Sequence, residues 1–93
     1  MREYDIIFIV HPDLEESALN DVAEKVKGWV TEAGGSITKA DFWGRRRLAY
    51  AIRKQKEGQY IMLKVKLAPT SVVVIERNLR FLEPVLRFAI SQV

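Results

Sequence analysis

Apolar and polar residues alternate over residues 3–10, then apolar residues recur every three to four positions over residues 14–33. These two periods predict a strand followed by a helix. In the strand, Tyr4, Ile6, Phe8 and Val10 share one face, while Asp5, Ile7 and Ile9 share the other, an unusually apolar set for a surface in water. His11-Pro12 ends the strand, because proline has no N–H for the ladder. Asp13 with Glu16 three residues on reads as the helix start, a capping oxygen followed by acids near the positive helix end. Leu19, Val22, Ala23, Val26, Trp29, Val30 and Ala33 form the buried stripe, and Gly34-Gly35 stops the helix.

Residues 36–53 are strand-like with a fault. Ile37, Ala40 and Trp43 are spaced by three, which predicts a bulge or kink before Gly44, and Leu48, Tyr50 and Ile52 then alternate. Residues 54–58 read as a polar turn with Gly58 near its end. Over residues 59–67, Ile61, Leu63, Val65 and Leu67 point inward, with Tyr60, Met62, Lys64 and Lys66 outward. Pro69-Thr70-Ser71 opens a second helix through proline and hydroxyl caps, and Val72, Ile75 and Leu79 mark its buried side. After Pro84, residues 85–93 form a last strand with Phe88 and Ile90 inward. The order β-α-β-β-α-β predicts an α+β, ferredoxin-like fold: a four-stranded antiparallel sheet with two helices on one face and strands two and four at the edges.

Ninety-three residues fit one domain, 1–93, with a modest core. The absence of cysteine excludes disulfides and thiolate metal sites. No apolar run approaches a membrane span, and the N-terminus enters a strand directly without a leader pattern, so the expected location is cytoplasmic. The net charge of +3 is modest, but its distribution is not. Residues 1–44 hold four basic and nine acidic side chains, for −5; residues 45–93 hold eleven basic and three acidic, for +8. Such segregation points to a polyanion on one side of the fold, against the simpler reading of solvating charges that fell unevenly by chance.

Catalytic chemistry finds little support. His11 is the only histidine and precedes Pro12 at a strand end, where a turn role is simpler than general base. No His, Cys or carboxylate set has metal-ligand spacing. Gly34-Gly35 lies at a helix C-terminus, the wrong end to cradle phosphate, and Gly44 lacks the spacing of a nucleotide loop. An enzyme, a cofactor and a small-molecule substrate are therefore not expected.

The positive signal is Arg45-Arg46-Arg47, followed by Arg53, Lys54 and Lys56. The plain alternative is an edge strand charged against aggregation. If Leu48, Tyr50 and Ile52 face the helices, then Arg47, Arg53 and Arg45 lie on the open sheet face with Lys64, Lys66 and Arg87, among Ile7, Ile9, Tyr60 and Met62; Arg46 points to the helix side. A face both basic and apolar calls for a cover, with the cations on phosphates. Single-strand readers of this shape stack bases on aromatics of the first and third strands; here only Tyr60 is available, so folded RNA held by backbone and shape is the expected ligand. The competing class is a protein-interaction module whose basic face meets an acidic protein.

The opening segment from Met1 through Tyr4-Asp-Ile-Ile-Phe8 to His11-Pro-Asp13, the central run from Trp43-Gly-Arg-Arg-Arg47 to Ile52, and the closing residues 81–90 together resemble the bacterial small-subunit ribosomal protein S-six family over essentially the whole chain. The resemblance implies the fold derived above and a structural role in the small ribosomal subunit. It implies binding to the central domain of small-subunit ribosomal RNA together with ribosomal protein S-eighteen. By position it assigns Arg2, Arg45, Arg46, Arg47 and Arg87 to RNA, while Tyr60, Met62 and Lys64 could serve RNA or partner. With the basic run, the expected RNA set is Arg2, Arg45, Arg46, Arg47, Arg53, Lys54, Lys56, Lys64 and Arg87; the expected partner set is Ile7, Ile9, Tyr60, Met62 and Lys66. Ala51 stands where the family often has proline, and the sequence stops at Val93, short of the polar or acidic tail many members carry.

Overall fold

A computed structural model describes residues 1–93. Its elements follow the expected order: β1 (Arg2–Val10), α1 (Glu16–Glu32), β2 (Ser36–Ile52), β3 (Gln55–Leu67), α2 (Pro69–Arg80) and β4 (Val85–Gln92). The strands form one antiparallel sheet in the order β2-β3-β1-β4, with β2 and β4 at the edges. This is the ferredoxin-like arrangement.

The core lies between the helices and one sheet face. Ile6 and Phe8 of β1, Ile61 and Leu63 of β3, Val26 and Val30 of α1, and Ile75 and Leu79 of α2 are fully buried. Each contributes about 1.5–3 kcal/mol by leaving water. Directly opposed residues of an antiparallel pair share a face. The pairings Phe8↔Phe88 and Ile6↔Ile90 therefore carry β4 into the same core, while Ile7↔Met62, Ile7↔Ala89 and Ile9↔Arg87 lie on the opposite, open face.

Both helices begin differently from the sequence expectation. Neither Glu15, which caps α1, nor Ala68, which caps α2, makes a side-chain cap hydrogen bond. Asp13 does not cap α1: its backbone N–H donates to His11 Nδ1 at 3.2 Å, and its carboxylate turns to Arg45. The helix consequently starts at Glu16 rather than Leu14. Thr70 and Ser71 lie inside α2, whose start rests on Pro69 in the first turn. The end of α1 is as expected, with Gly34 N–H donating to the Thr31 carbonyl and Gly35 N–H to the Val30 carbonyl, a Schellman closure.

The larger correction concerns the β2–β3 hairpin. Its turn is Arg53-Lys54, not residues 54–58, and both residues have positive φ, 49° and 67°. Both central residues thus adopt the left-handed conformation of a type I′ turn, which matches strand twist but disfavours side chains with a Cβ. Gly58 sits within β3 instead, opposite Arg46, and a Cβ there would collide with the Ile9 side chain.

Candidate nucleic-acid interface

The pairing register decides which way each arginine points. Along β2 the pairing slips at Thr38 and again at Trp43, so Phe42 opposes Ile61 but Gly44 opposes Tyr60. Gly44 takes φ 84°, a conformation glycine adopts freely, and this accommodates the second bulge. Beyond it, Arg45 shares a face with Gln59, Arg46 with Gly58 and Arg47 with Glu57. Arg45 and Arg47 therefore lie on the helix side and Arg46 on the open side, the reverse of the sequence expectation. Leu48 and Tyr50 are also reversed. Leu48 approaches Gly58 on the face that holds Ile9, and Tyr50 lies against Arg87, whose guanidinium is 5.6 Å from the ring centre.

The reversal has a packing cause. Arg45 and Arg47 are exposed, so the helical layer does not extend over this part of the hairpin. Apolar side chains at Leu48 and Tyr50 have no core to enter on that side, and they pack on the open face instead.

The cations are not equivalent. Arg45 Nη2 donates to the Pro12 carbonyl at 2.6 Å and lies 3.6 Å from an Asp13 carboxylate oxygen; Arg45 Nε is 3.5 Å from Glu57. It ties the hairpin to the β1–α1 loop. Gln59 helps, donating from Nε2 to the carbonyls of Pro12 and Leu14. Lys64 Nζ is 3.4 Å from Asp5 Oδ1 on the open face. Arg53 reaches only a backbone carbonyl, Glu83, at 3.4 Å, and Arg2 only the Gln92 side chain at 3.4 Å. Arg46, Arg47, Lys54, Lys56, Lys66 and Arg87 have no carboxylate within 4.0 Å. Four of these six lie in the distal hairpin.

Ile7 and Ile9 line a small apolar groove of about 120 Å³ with Arg87, Phe88 and Ala89, between β1 and edge strand β4. Met62, expected to offer apolar surface there, is only 7% exposed and has little left to offer. One feature of the open face escaped the sequence reading: Trp43 stacks beside Tyr60 with ring centres 6.3 Å apart and planes 17° apart. The Arg46 guanidinium lies over Trp43, 5.3 Å from its centre. Only the spacing of Ile37, Ala40 and Trp43 hinted at it.

No group of three or more His, Cys, Asp or Glu side chains is arranged to hold a metal ion, and no helix is long and apolar enough to cross a membrane.

Comparison with known proteins agrees with this architecture. The chain is 44% identical over 87 residues to the small ribosomal subunit protein bS6 of Nocardia farcinica, covering 94% of this chain and 92% of that one. It is 38% identical over 92 residues to bS6 of Moorella thermoacetica, covering 99% and 94%. The crystal structure of the 30S ribosomal protein S6 from Thermotoga maritima superposes with a TM-score of 0.93 at 27% identity, covering 99% of this chain and 87% of that one. The profile for ribosomal protein S6 matches residues 3–92, so this chain belongs to the ribosomal protein S6 family, structural proteins of the small ribosomal subunit in the cytoplasm and not enzymes.

Proposed function

We propose that this chain binds small-subunit ribosomal RNA through the distal β2–β3 hairpin, with ribosomal protein S-eighteen as its protein partner. The observation that carries the reading is the cluster of Arg46, Arg47, Lys54 and Lys56, cations without an acid partner on one projecting hairpin. Leaving like charges together at one end of the fold is unfavourable unless a polyanion neutralises them, and ribosomal RNA is the polyanion that membership of this family points to. Arg53, Arg2 and Arg87 extend the contact surface. Arg45 and Lys64, held by carboxylates, act mainly within the protein.

The protein partner is assigned to the open face, where Ile7 and Ile9 border the groove along the edge strand β4. An apolar strip beside an unpaired edge suits a partner segment that covers both.

The test is binding of a central-domain ribosomal RNA fragment to the parent protein and to Arg47→Ala/Lys54→Ala/Lys56→Ala at several salt concentrations. The triple variant should bind more weakly with a shallower salt dependence and an unchanged melting temperature. Equal affinity and equal slope would overturn the assignment.

A further inference from the structure

The geometry points to a stacking site for an unpaired RNA base at Trp43, Tyr60 and Arg46 on the open sheet face; the inference rests on the RNA-binding reading above and assigns it a second, non-electrostatic contact. Trp43 is 39% exposed, a large aromatic residue to leave partly in water on an edge strand. Its neighbour Tyr60 is nearly parallel to it, and the 6.3 Å separation of centres lies in the upper part of the range for aromatic pairs. The pair is an aromatic stack whose Trp43 member keeps an exposed area on the open face. Arg46 adds a guanidinium that has no carboxylate partner and is already parked over an aromatic ring.

These are the components with which proteins hold single-stranded nucleic acid: aromatic faces that accept any base, and an arginine that both stacks and meets the phosphate. Charge selects the occupant. The free cations Arg46, Arg47, Lys54 and Lys56 lie on the same hairpin as Trp43, toward its tip, so a nucleotide on the ring has its phosphate beside Arg46, whereas an apolar protein segment would leave Arg46 without a counter-charge. The site is also built rather than incidental. Without the slip between Phe42 and Gly44, Arg46 would oppose Glu57 on the helix side; the bulge is what brings its guanidinium onto the face of Trp43 and Tyr60.

Trp29 and Trp43 are the only tryptophans, and Trp29 belongs to α1 on the helix side, so Trp29→Phe makes Trp43 the sole indole reporter. The probes are an eight-nucleotide oligouridylate, polyphosphate of equal charge as a base-free control, and the central-domain fragment. Oligouridylate should quench Trp43 emission and polyphosphate should not. Trp43→Ala should lower oligouridylate affinity about tenfold, the middle of the range for one stacked base. It should leave polyphosphate binding unchanged, and Trp43→Phe should restore most of the loss; circular dichroism checks that each variant is folded. Two outcomes would overturn the site: binding of oligouridylate with unmoved emission and equal affinity for Trp43→Ala, or emission that responds only to ribosomal protein S-eighteen. Either leaves the RNA-binding reading standing if the central-domain fragment still binds. Failure of the parent protein to bind that fragment would instead remove the reading beneath it.

Discussion

Arg45 Nη2 donates a 2.6 Å hydrogen bond to the carbonyl of Pro12, and through it the long hairpin is fastened to the turn between β1 and α1. The same guanidinium meets Asp13 and Glu57, with a side chain 54% exposed. Solvent screens the ion pairs, so the partly buried hydrogen bond carries most of the effect. Arg45→Ala should destabilise the fold by about 1 kcal/mol, read from urea denaturation midpoints, while weakening RNA binding less than Arg47→Ala does. A variant as stable as the parent but deficient in RNA binding would reverse the roles given to these two arginines.

The Arg53-Lys54 turn holds two residues with a Cβ at positive φ, where Asn-Gly is the favoured pair. Each left-handed residue costs about 1–2 kcal/mol in a non-glycine chain. Arg53→Asn with Lys54→Gly should therefore raise stability by about 1 kcal/mol and reduce the steepness of log affinity against log salt by about two. Opposite movements of melting temperature and RNA affinity are the signature; parallel movements would mean that the turn is a scaffold only.

Gly58 makes room for Ile9, whose side chain occupies the space a Cβ would need. Gly58→Ala should cost about 1–3 kcal/mol through overpacking. Because the obstacle is one side chain, adding Ile9→Ala should recover part of that loss. A double-mutant cycle with no coupling between the two positions would show that the backbone, not Ile9, sets the requirement.

Asp5 Oδ1 is sealed from solvent without a well-aligned hydrogen bond, and Lys64 Nζ at 3.4 Å is the cation beside it. Lys64→Ala removes that compensation and should lower stability by about 1 kcal/mol, with Asp5→Ala/Lys64→Ala closer to the parent than Lys64→Ala alone. RNA affinity should change less than for Arg47→Ala, measured by the same titration.

Much of the fold was legible in residue spacing. The alternation of Tyr4, Ile6, Phe8 and Val10 and of Ile61, Leu63, Val65 and Leu67 identified the core faces of β1 and β3, because burying one face of a sheet leaves a period of two. The stripe from Leu19 to Val30 did the same for α1 with the helical period. The helix starts were less legible. Asp13 has the right chemistry for a cap, but Arg45, distant in sequence, competes for its carboxylate.

The arginine run shows where sequence reasoning stopped. It located a basic hairpin and a fault before Gly44, since glycine spacing and charge are local properties. Its inward assignment of Leu48 and Tyr50 assumed that apolar residues always face the helices. In the folded chain the helices do not cover that stretch, and the unpaired residue at Trp43 shifts the side chains that follow, through Tyr50, to the opposite face, before a further slip ahead of Ile52. The sequence by itself determined the order of elements, the core and the location of the free positive charge. Only the tertiary structure decided that Arg45 is a tether, that Arg46 joins Trp43 and Tyr60, and that Lys64 answers Asp5. Those outcomes depend on strand register and on partners distant in the chain, and the period of a single strand contains neither.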